Sequence, residues 1–355
     1  MSGIIKQVIG IDCSMETLDC SYGSLGSDLK QNIQSPKVFS NNAGGFKKLI
    51  EWAEKRTDKK IAPVFVVEAT GVYHELLANH LADNGFKISV VLPNRMNSFF
   101  RTTKTKTITD SSAARMIAQF GLEKELDLWK KPDAVFHQLK QLTREREQLI
   151  AERSAIKNQI HAESREAFPN SGSLKRMEQR LKLLQNQVKE TEREIREKVE
   201  ANPELNSKVQ NICTIDGVGL LTCVTVMAET NGFDLIRNKR QLVSYAGLDV
   251  VEKQSGTSVR GKARISKRGN RHIRKSLYFP AFTSVKHNAQ TRNHYANLVS
   301  KHGIKMKAAV SVQRKLLVLI YTLWKTNEPY CEKYEQKKLE QQLLVTPKEL
   351  DHVRS

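Results

Sequence analysis

Val8-Ile9-Gly10-Ile11-Asp12-Cys13-Ser14-Met15-Glu16-Thr17-Leu18-Asp19-Cys20-Ser21-Tyr22 decides how the first third of this chain folds. Val8–Asp12 is a short apolar run that ends in a carboxylate. Leu18–Tyr22 reads as its hairpin partner, across a turn at Cys13–Thr17. Working outward, Asn41 or Asn42 is placed to cap a helix whose apolar face is Phe46, Leu49, Ile50 and Ala53. Val64–Val67 has the continuous apolar pattern of a buried strand, and it too ends in a carboxylate, Glu68. Beyond Gly71 a helix runs through Leu76, Leu77, His80 and Leu81 and closes at Asn84-Gly85. Ile88–Leu92 is another buried strand, stopped by Pro93. A further helix opens near Asp110 and passes Met116, Ile117 and Phe120 to reach Gly121. A hairpin followed by β-α-β-α units gives a mixed α/β sheet over residues 1–130.

The pattern changes over residues 131–204. Leu142, Leu149 and Ile156 recur every seven residues, with Leu139 and Ile160 at the companion position and Arg146 and Arg153 interrupting it. After a break at Phe168–Gly172 the same period returns in Leu174, Leu181, Val188 and Ile195, with Met177 and Leu184 as partners. This predicts a coiled-coil hairpin that pairs either with its own chain or with a second copy as a dimerisation arm. Residues 205–330 return to globular, mainly helical patterning, and residues 331–355 form a polar tail.

The 355 residues carry 58 Lys+Arg against 38 Asp+Glu, a net charge of +20. That excess points to a polyanion, most economically nucleic acid, without saying whether it is bound, cut or joined. Five cysteines at 13, 20, 213, 223 and 331 form no CxxC pair, which argues against a zinc knuckle and for reduced thiols. Met1–Gly10 has no long apolar run, and Leu316–Tyr321 is far too short to span a bilayer. A cytoplasmic protein that binds no membrane is the expectation.

Three constellations could carry chemistry. Asp12 and Glu68 end neighbouring strands and Asp110 opens a helix, so the three can converge on one sheet face. Taken singly, each reads more often as a cap or a solvated residue. Together they form a hard-oxygen set suited to Mg²⁺ or Mn²⁺, which would hold a scissile phosphate. The second constellation is Ile215-Asp216-Gly217-Val218-Gly219 ahead of an apolar helix. Gly217 and Gly219 read either as a helix-hairpin-helix turn meeting phosphate at a helix N-terminus, or as an ordinary interhelical loop. The third is the block from Arg237 to Lys275, with twelve Lys/Arg against Asp249 and Glu252, half of the net charge. A charge run is usually a solvated face. Here small residues punctuate it, as in Ser255-Gly256, and a serine in a cationic loop could be an exposed nucleophile. Tyr245 is a reserve nucleophile whose apolar neighbours favour packing, and neither His272 nor His294 is assigned a role.

The combination resembles a known family. Its marks are Gly10-Ile11-Asp12, Glu68-Ala69-Thr70-Gly71, Asp110 with Ile117-Ala118, and Gly217-Val218-Gly219. The most specific are Tyr245-Ala246-Gly247-Leu248, Ser255-Gly256, Ile265-Ser266-Lys267-Arg268-Gly269-Asn270 and Arg274. Over roughly residues 7–325 the chain is similar to insertion-sequence transposases with a DEDD, RuvC-like N-terminal domain and a C-terminal transposase domain, a group that includes the Piv-type DNA invertases.

The resemblance implies an RNase H-like (RuvC-like) α/β domain whose Asp12, Glu68 and Asp110 hold Mg²⁺. A central coiled coil and a mainly α C-terminal domain with the helix-hairpin-helix-like turn would follow. Ser255 would form a phosphoserine intermediate with DNA, and the active site would be composite. Gly217, Gly219, Arg260, Lys262, Arg264, Lys267, Arg268, Asn270, Arg271 and Arg274 would line the nucleic acid. It further implies a structured bridge RNA as guide, homodimers assembling into tetramers, and a bacterial or archaeal, nucleoid-associated location. The family places a second aspartate three residues after the first on the last helix. This chain has Ala113 there, so the expected fourth carboxylate is missing and impaired metal binding and cleavage are expected. Two other readings stand beside this one. One is a metal-dependent, junction-resolvase-like nuclease with no covalent intermediate. The other is a non-catalytic nucleic-acid-binding protein.

Overall fold

The computed structural model describes residues 3–69, 71–103, 109–234, 236–252, 254–255, 259–261 and 264–331, without the side chains of Ser111, Gln254, Ser255, Val259 and Arg260. The chain divides into two compact units, Met1–Lys131 and Pro132–Ser355.

The first unit is built on a mixed sheet. Strands β1 (Ile4–Cys13) and β2 (Thr17–Gly26) form the hairpin read from the sequence. β3 (Gln31–Ile33) and β4 (Lys37–Ser40) pair successive stretches of the free edge of β2. Helix α1 (Ala43–Glu54) follows, capped by Asn42, whose Oδ1 accepts from the Gly45 N–H. β5 (Val64–Glu68) lies parallel to β1, and β6 (Lys87–Val91) lies parallel to β5 with α2 (Glu75–Asp83) between them. The strand order β3-β2-β1-β5-β6 joins an antiparallel meander to two parallel strands. This is the RNase H-like arrangement that the resemblance implies.

Alternation along the strands separates the two faces of the sheet. Ile9, Ile11, Leu18, Phe65 and Val67 pack with Phe46, Leu49 and Trp52 of α1 and Leu77 and Leu81 of α2. Val8 and Val66 pack on the opposite face with Met96 and Phe99 of α3 (Pro93–Phe100) and Ile117 and Ala118 of α4 (Asp110–Glu123). Helices thus cover both faces of the sheet.

The second unit is helical. α5 (Ala134–Glu163) and α6 (Ser171–Glu200) are two 30-residue helices that pair with each other. Ile156, Met177 and Leu184 are buried between them, with Leu149, Ile160, Leu174 and Leu181 packed around these. The heptad residues therefore meet within one chain. Arg146, an interruption in the sequence pattern, reaches across the hairpin to Glu192 at 2.6 Å. α7 (Pro203–Cys213), α8 (Leu220–Glu229) and α9 (Lys239–Tyr245) build the core with α13 (Lys305–Thr326), whose Val312, Leu316, Leu317 and Ile320 are buried. Between α9 and the next helix lie four two-residue strands. β7 (Val250–Val251) pairs with β10 (Arg264–Ile265), and β8 (Gln254–Ser255) pairs with β9 (Val259–Arg260).

The chain after Asn270 forms two helices, α10 (Arg271–Ser276) and α11 (Tyr278–His287). Pro280 is the cause, because it offers no N–H to the Ser276 carbonyl and its ring crowds that turn. The Thr222 hydroxyl takes up the Ser276 carbonyl instead, at 3.4 Å. α12 (Ala289–His302) completes the unit. All five cysteines are free thiols. Among the described residues no helix is long and apolar enough to cross a membrane. Beyond Cys331 the polar tail lies outside the described residues.

Candidate active site

Gly10 sets the geometry of the acidic site. A β-carbon there would lie 2.2 Å from the Ala118 nitrogen and 2.5 Å from the Ala114 oxygen, so α4 rests directly on β1. Gly121, further along the helix, stands over Val8 and Val66. The helix therefore runs antiparallel to β1. Two residues along a strand advance about 6.6 Å, and four residues along a helix advance about 6 Å. Stepping from Gly10 to Asp12 thus corresponds to stepping from Ala114 to Asp110, which brings Asp110 to the end of β1. A capping box fixes that helix start: the Ser112 N–H meets Thr109 Oγ1 at 3.3 Å and the Thr109 N–H meets Ser112 Oγ at 2.7 Å. Asp110, in the first turn, faces the positive end of the helix dipole.

The strand registers extend the site into a row. β1 and β5 run in register from Val8↔Val64 to Ile11↔Val67, so the next position sets Asp12 beside Glu68. Across the hairpin, Asp12 pairs directly with Asp19. Asp19, Asp12 and Glu68 therefore stand side by side on three neighbouring strands, on the face that α4 covers. All three are half-buried, and each carboxyl is raised. Burial and then the charges of Asp110 and Asp19 push Asp12 up to about 6. Burial and then Asp110 raise Asp19, and burial and then Asp12 raise Glu68.

The donor set is chemically right for a hard divalent cation. Adjacent strands are about 4.8 Å apart, so the carboxylates stand in a line rather than converging. Accordingly, among the described residues no three His, Cys, Asp or Glu side chains form a closed metal cage. Mg²⁺ suits such a row, because it keeps several waters and uses one or two carboxylates together with substrate phosphate oxygens. Mutual repulsion within the row also favours a cation over bare carboxylates. Ala113, one turn beyond Asp110, is 6% exposed and adds no oxygen.

The predicted nucleic-acid residues lie in the second unit. Ser255 occupies β8 at the last paired rung before residues 256–258, opposite Val259. The rest of the loop read around it, residues 256–258, lies outside the described residues. The base of the β7–β10 ribbon is locked. A β-carbon on Gly269 would lie 2.4 Å from the Tyr245 oxygen and 2.5 Å from the Gly247 nitrogen. Ser266 Oγ donates to Asp249 at 2.5 Å. Arg274 Nη1 donates to the Ala246 and Gly269 carbonyls at 2.8 and 3.1 Å. Asn270 caps α10 through Oδ1 and donates from Nδ2 to Glu229 at 2.6 Å. Arg274 and Asn270 thus hold the fold locally, whereas Arg264, Lys267, Arg268 and Arg271 are exposed cations. The side chain of Arg260 and all of Lys262 lie outside the described residues.

Beneath the ribbon base sits Glu229, 2% exposed. Arg144 of α5 grips it through two bonds, at 2.7 and 2.9 Å. Burial raises its carboxyl, but the Arg144 and Asn270 hydrogen bonds outweigh that and hold it below the usual carboxylate range. Tyr245 donates its hydroxyl to the Glu229 carbonyl at 2.8 Å, which gives the reserve nucleophile a packing role. Gly217 (φ +92°) meets α11, since a β-carbon there would sit 2.6 Å from the Pro280 oxygen. Gly219 is the exposed N-cap of α8. His272 pairs with Glu147 at 2.7 Å, and His294 with Ser311 at 2.9 Å.

Asp19, Glu229 and Arg144 were not singled out in the sequence. A turn at Cys13–Thr17 sets Leu18 opposite Asp12, one residue off the true register, and a one-residue slip sends Asp19 to the wrong face.

Comparison with known proteins follows the same division. Residues 9–169 match the DEDD transposase model of the IS110 type, and residues 209–296 match the model described as "Transposase IS116/IS110/IS902 family". The pilin gene-inverting protein of Moraxella bovis is 24% identical over 332 residues, covering 93% of this chain and 99% of that protein. Its Moraxella lacunata counterpart gives the same values. An IS110 insertion-element protein of Streptomyces coelicolor is 22% identical over 38% of this chain and 33% of its own length. Among solved structures, Thermus thermophilus RuvC with a Holliday junction substrate aligns with 35% of this chain and 99% of its own, at 10% identity and a TM-score of 0.27.

Proposed function

The chain belongs to the IS116/IS110/IS902 family of transposases, and on that premise we propose that it cuts and rejoins DNA with two chemical parts. One is the carboxylate row, holding a divalent cation. The other is Ser255, carrying the cut strand. The register of α4 on β1 is the observation that carries the reading, because it brings Asp110 to the row of Asp19, Asp12 and Glu68. Asp12, Glu68 and Asp110 would hold Mg²⁺ or Mn²⁺, which supplies Lewis-acid stabilisation of the charge developing on the scissile phosphate. With Asp12 raised to about 6, the row is fully charged only above that pH.

Ser255 Oγ attacks the scissile phosphorus. A phosphoserine ester forms as the bond from phosphorus to one deoxyribose oxygen breaks. The serine proton leaves to a base, and the departing oxygen takes up a proton as a hydroxyl. A hydroxyl from another DNA end then attacks the phosphoserine, which restores the serine and joins the strands. Placement of Ser255 at the last rung of a short strand pair within the basic block supports its reach toward DNA. Arg264, Lys267, Arg268 and Arg271 are exposed on or next to the β7–β10 ribbon and would grip phosphates, joined by Arg260 and Lys262. A structured guide RNA is the second polyanion, and the +20 charge supports a load of both. Dimers assembling into tetramers would bring the carboxylates and the serine of different copies together, through surfaces other than the heptad residues that already pair within one chain.

Element-end DNA incubated with Mg²⁺, with and without co-purified RNA, separates the readings. Asp12→Asn and Ser255→Ala are both expected to abolish strand transfer, and Ser255→Ala to abolish the protein–DNA adduct. Undiminished cutting by Ser255→Ala would favour the resolvase-like nuclease.

A further inference from the structure

We propose a phosphate-backbone binding site on the first unit, at the edge of the sheet and built from none of the residues of the carboxylate row or the Arg237–Lys275 block. It is a cavity of about 550 Å³ between β4 and α1. Lys37, Lys48, Lys55 and Arg56 line it against a single acid, Glu51. Lys48, Trp52 and Lys55 follow helical spacing along one face of α1, and Lys37 comes across from the edge strand. All four cations are exposed, and among the described residues none is paired with a carboxylate. Like charges gathered around one hollow repel one another and favour the folded state only weakly. Such a cluster is therefore built for an anion.

Two of the cations are positioned by aromatic faces. Arg56 lies 4.8 Å from the centre of the Trp52 ring, and Lys37 lies 5.6 Å from that of Phe39. Cations resting on rings are preorganised, so less side-chain freedom is lost on binding. Trp52 lines the cavity and, 5% exposed, packs edge-on against Phe39 at 5.6 Å, so the platform under Arg56 is fixed.

Position favours a polymer over a small anion. β4 is an edge strand, and its Val38 pairs with Asp19 of the acidic row. Lys37 and Phe39 alternate with Val38 and face the α1 side. A nucleic-acid strand leaving the row would cross one strand at the sheet edge and reach the cavity. The site would hold backbone phosphates without reading bases. It rests on the proposed handling of nucleic acid, but not on the cleavage chemistry.

The test exchanges Lys37, Lys48, Lys55 and Arg56 together for Gln in the full chain. Affinity for a DNA duplex and for a structured RNA is measured separately against salt. A control exchanges Lys157, Lys175, Lys182 and Lys189 on the arm, which makes an equal charge change. For whichever polymer uses the cavity, the slope of log affinity against log salt should fall by about 3.6 if all four cations meet phosphates, near 0.9 per contact on a duplex. Affinity at low salt should fall at least tenfold more than in the control. The single exchange Lys48→Glu should move both readouts in the same direction. Equal behaviour of the two quartets toward both polymers would overturn the site. Binding needs no catalysis, so loss of cleavage alone leaves the result readable.

Discussion

Asp12 gives the acidic row its pH dependence. Its carboxyl is raised from 3.8 to about 6 in the folded chain. A raised acid favours the folded state below its unfolded value, and that contribution disappears as pH climbs through the folded value. Without metal, the chain should therefore lose stability between about pH 4 and 6 through this group. Asp12→Asn should unfold at increasingly higher urea than the native chain as pH rises toward 7. Millimolar Mg²⁺ should stabilise the native chain and not the variant. The neighbouring position argues the same chemistry from the other side. Ala113 lies one turn from Asp110, so Ala113→Asp adds a carboxylate to a site short of one. Calorimetric titration should give a Mg²⁺ affinity about tenfold higher, because charge count tunes affinity, and strand cleavage should rise with it. Unchanged binding and cleavage would mean that this position is silent.

Elements set the positions of these residues by close packing. Gly10→Ala forces a methyl group against the backbone of α4 at 2.2 Å. Neither strand nor helix backbone yields cheaply, so urea denaturation should register a loss of about 2–3 kcal/mol. Gly44→Ala, with its nearest contact at 3.5 Å, should not be destabilising. In the second unit the Arg144–Glu229 pair predicts an asymmetry. Arg144→Met strands a carboxylate that is 1% exposed and should cost about 3–5 kcal/mol. Glu229→Gln releases an arginine that is 46% exposed and free to find water, so about 1–2 kcal/mol is expected. Equal losses would contradict this account of the ribbon base.

The strands and helices with strong apolar periods were legible in the sequence: β1, β2, β5, β6, α1, α2 and α4. β3 and β4 were not, because edge strands carry the polar residues that keep an edge from pairing further. α3 was hidden by reading Pro93 only as a strand stop, although proline is also at home in the first turn of a helix. The positions of Asp12, Glu68 and Asp110 at element ends were legible because each marks the end of a periodic element. Asp19 depended on register, and Glu229 on contacts made 85 residues apart in the chain, which no local pattern records.

On the scale of the whole molecule, the net charge of +20 conceals two chemistries of opposite sign. The first unit gathers acids at a strand row and cations at a sheet edge. The second carries twelve Lys/Arg in the sequence segment Arg237–Lys275, which includes Ser255. A transposase assembled this way should hold its cut DNA on the serine, with the carboxylate row assisting. The direct measurement traps the protein–DNA adduct on element-end DNA in Mg²⁺, with the native chain and with Ala113→Asp, and maps the modified residue by mass spectrometry. The account predicts a phosphodiester on Ser255 that disappears when Asp12 becomes Asn. An adduct on Tyr245 or another residue, or efficient cutting with no adduct, would contradict it.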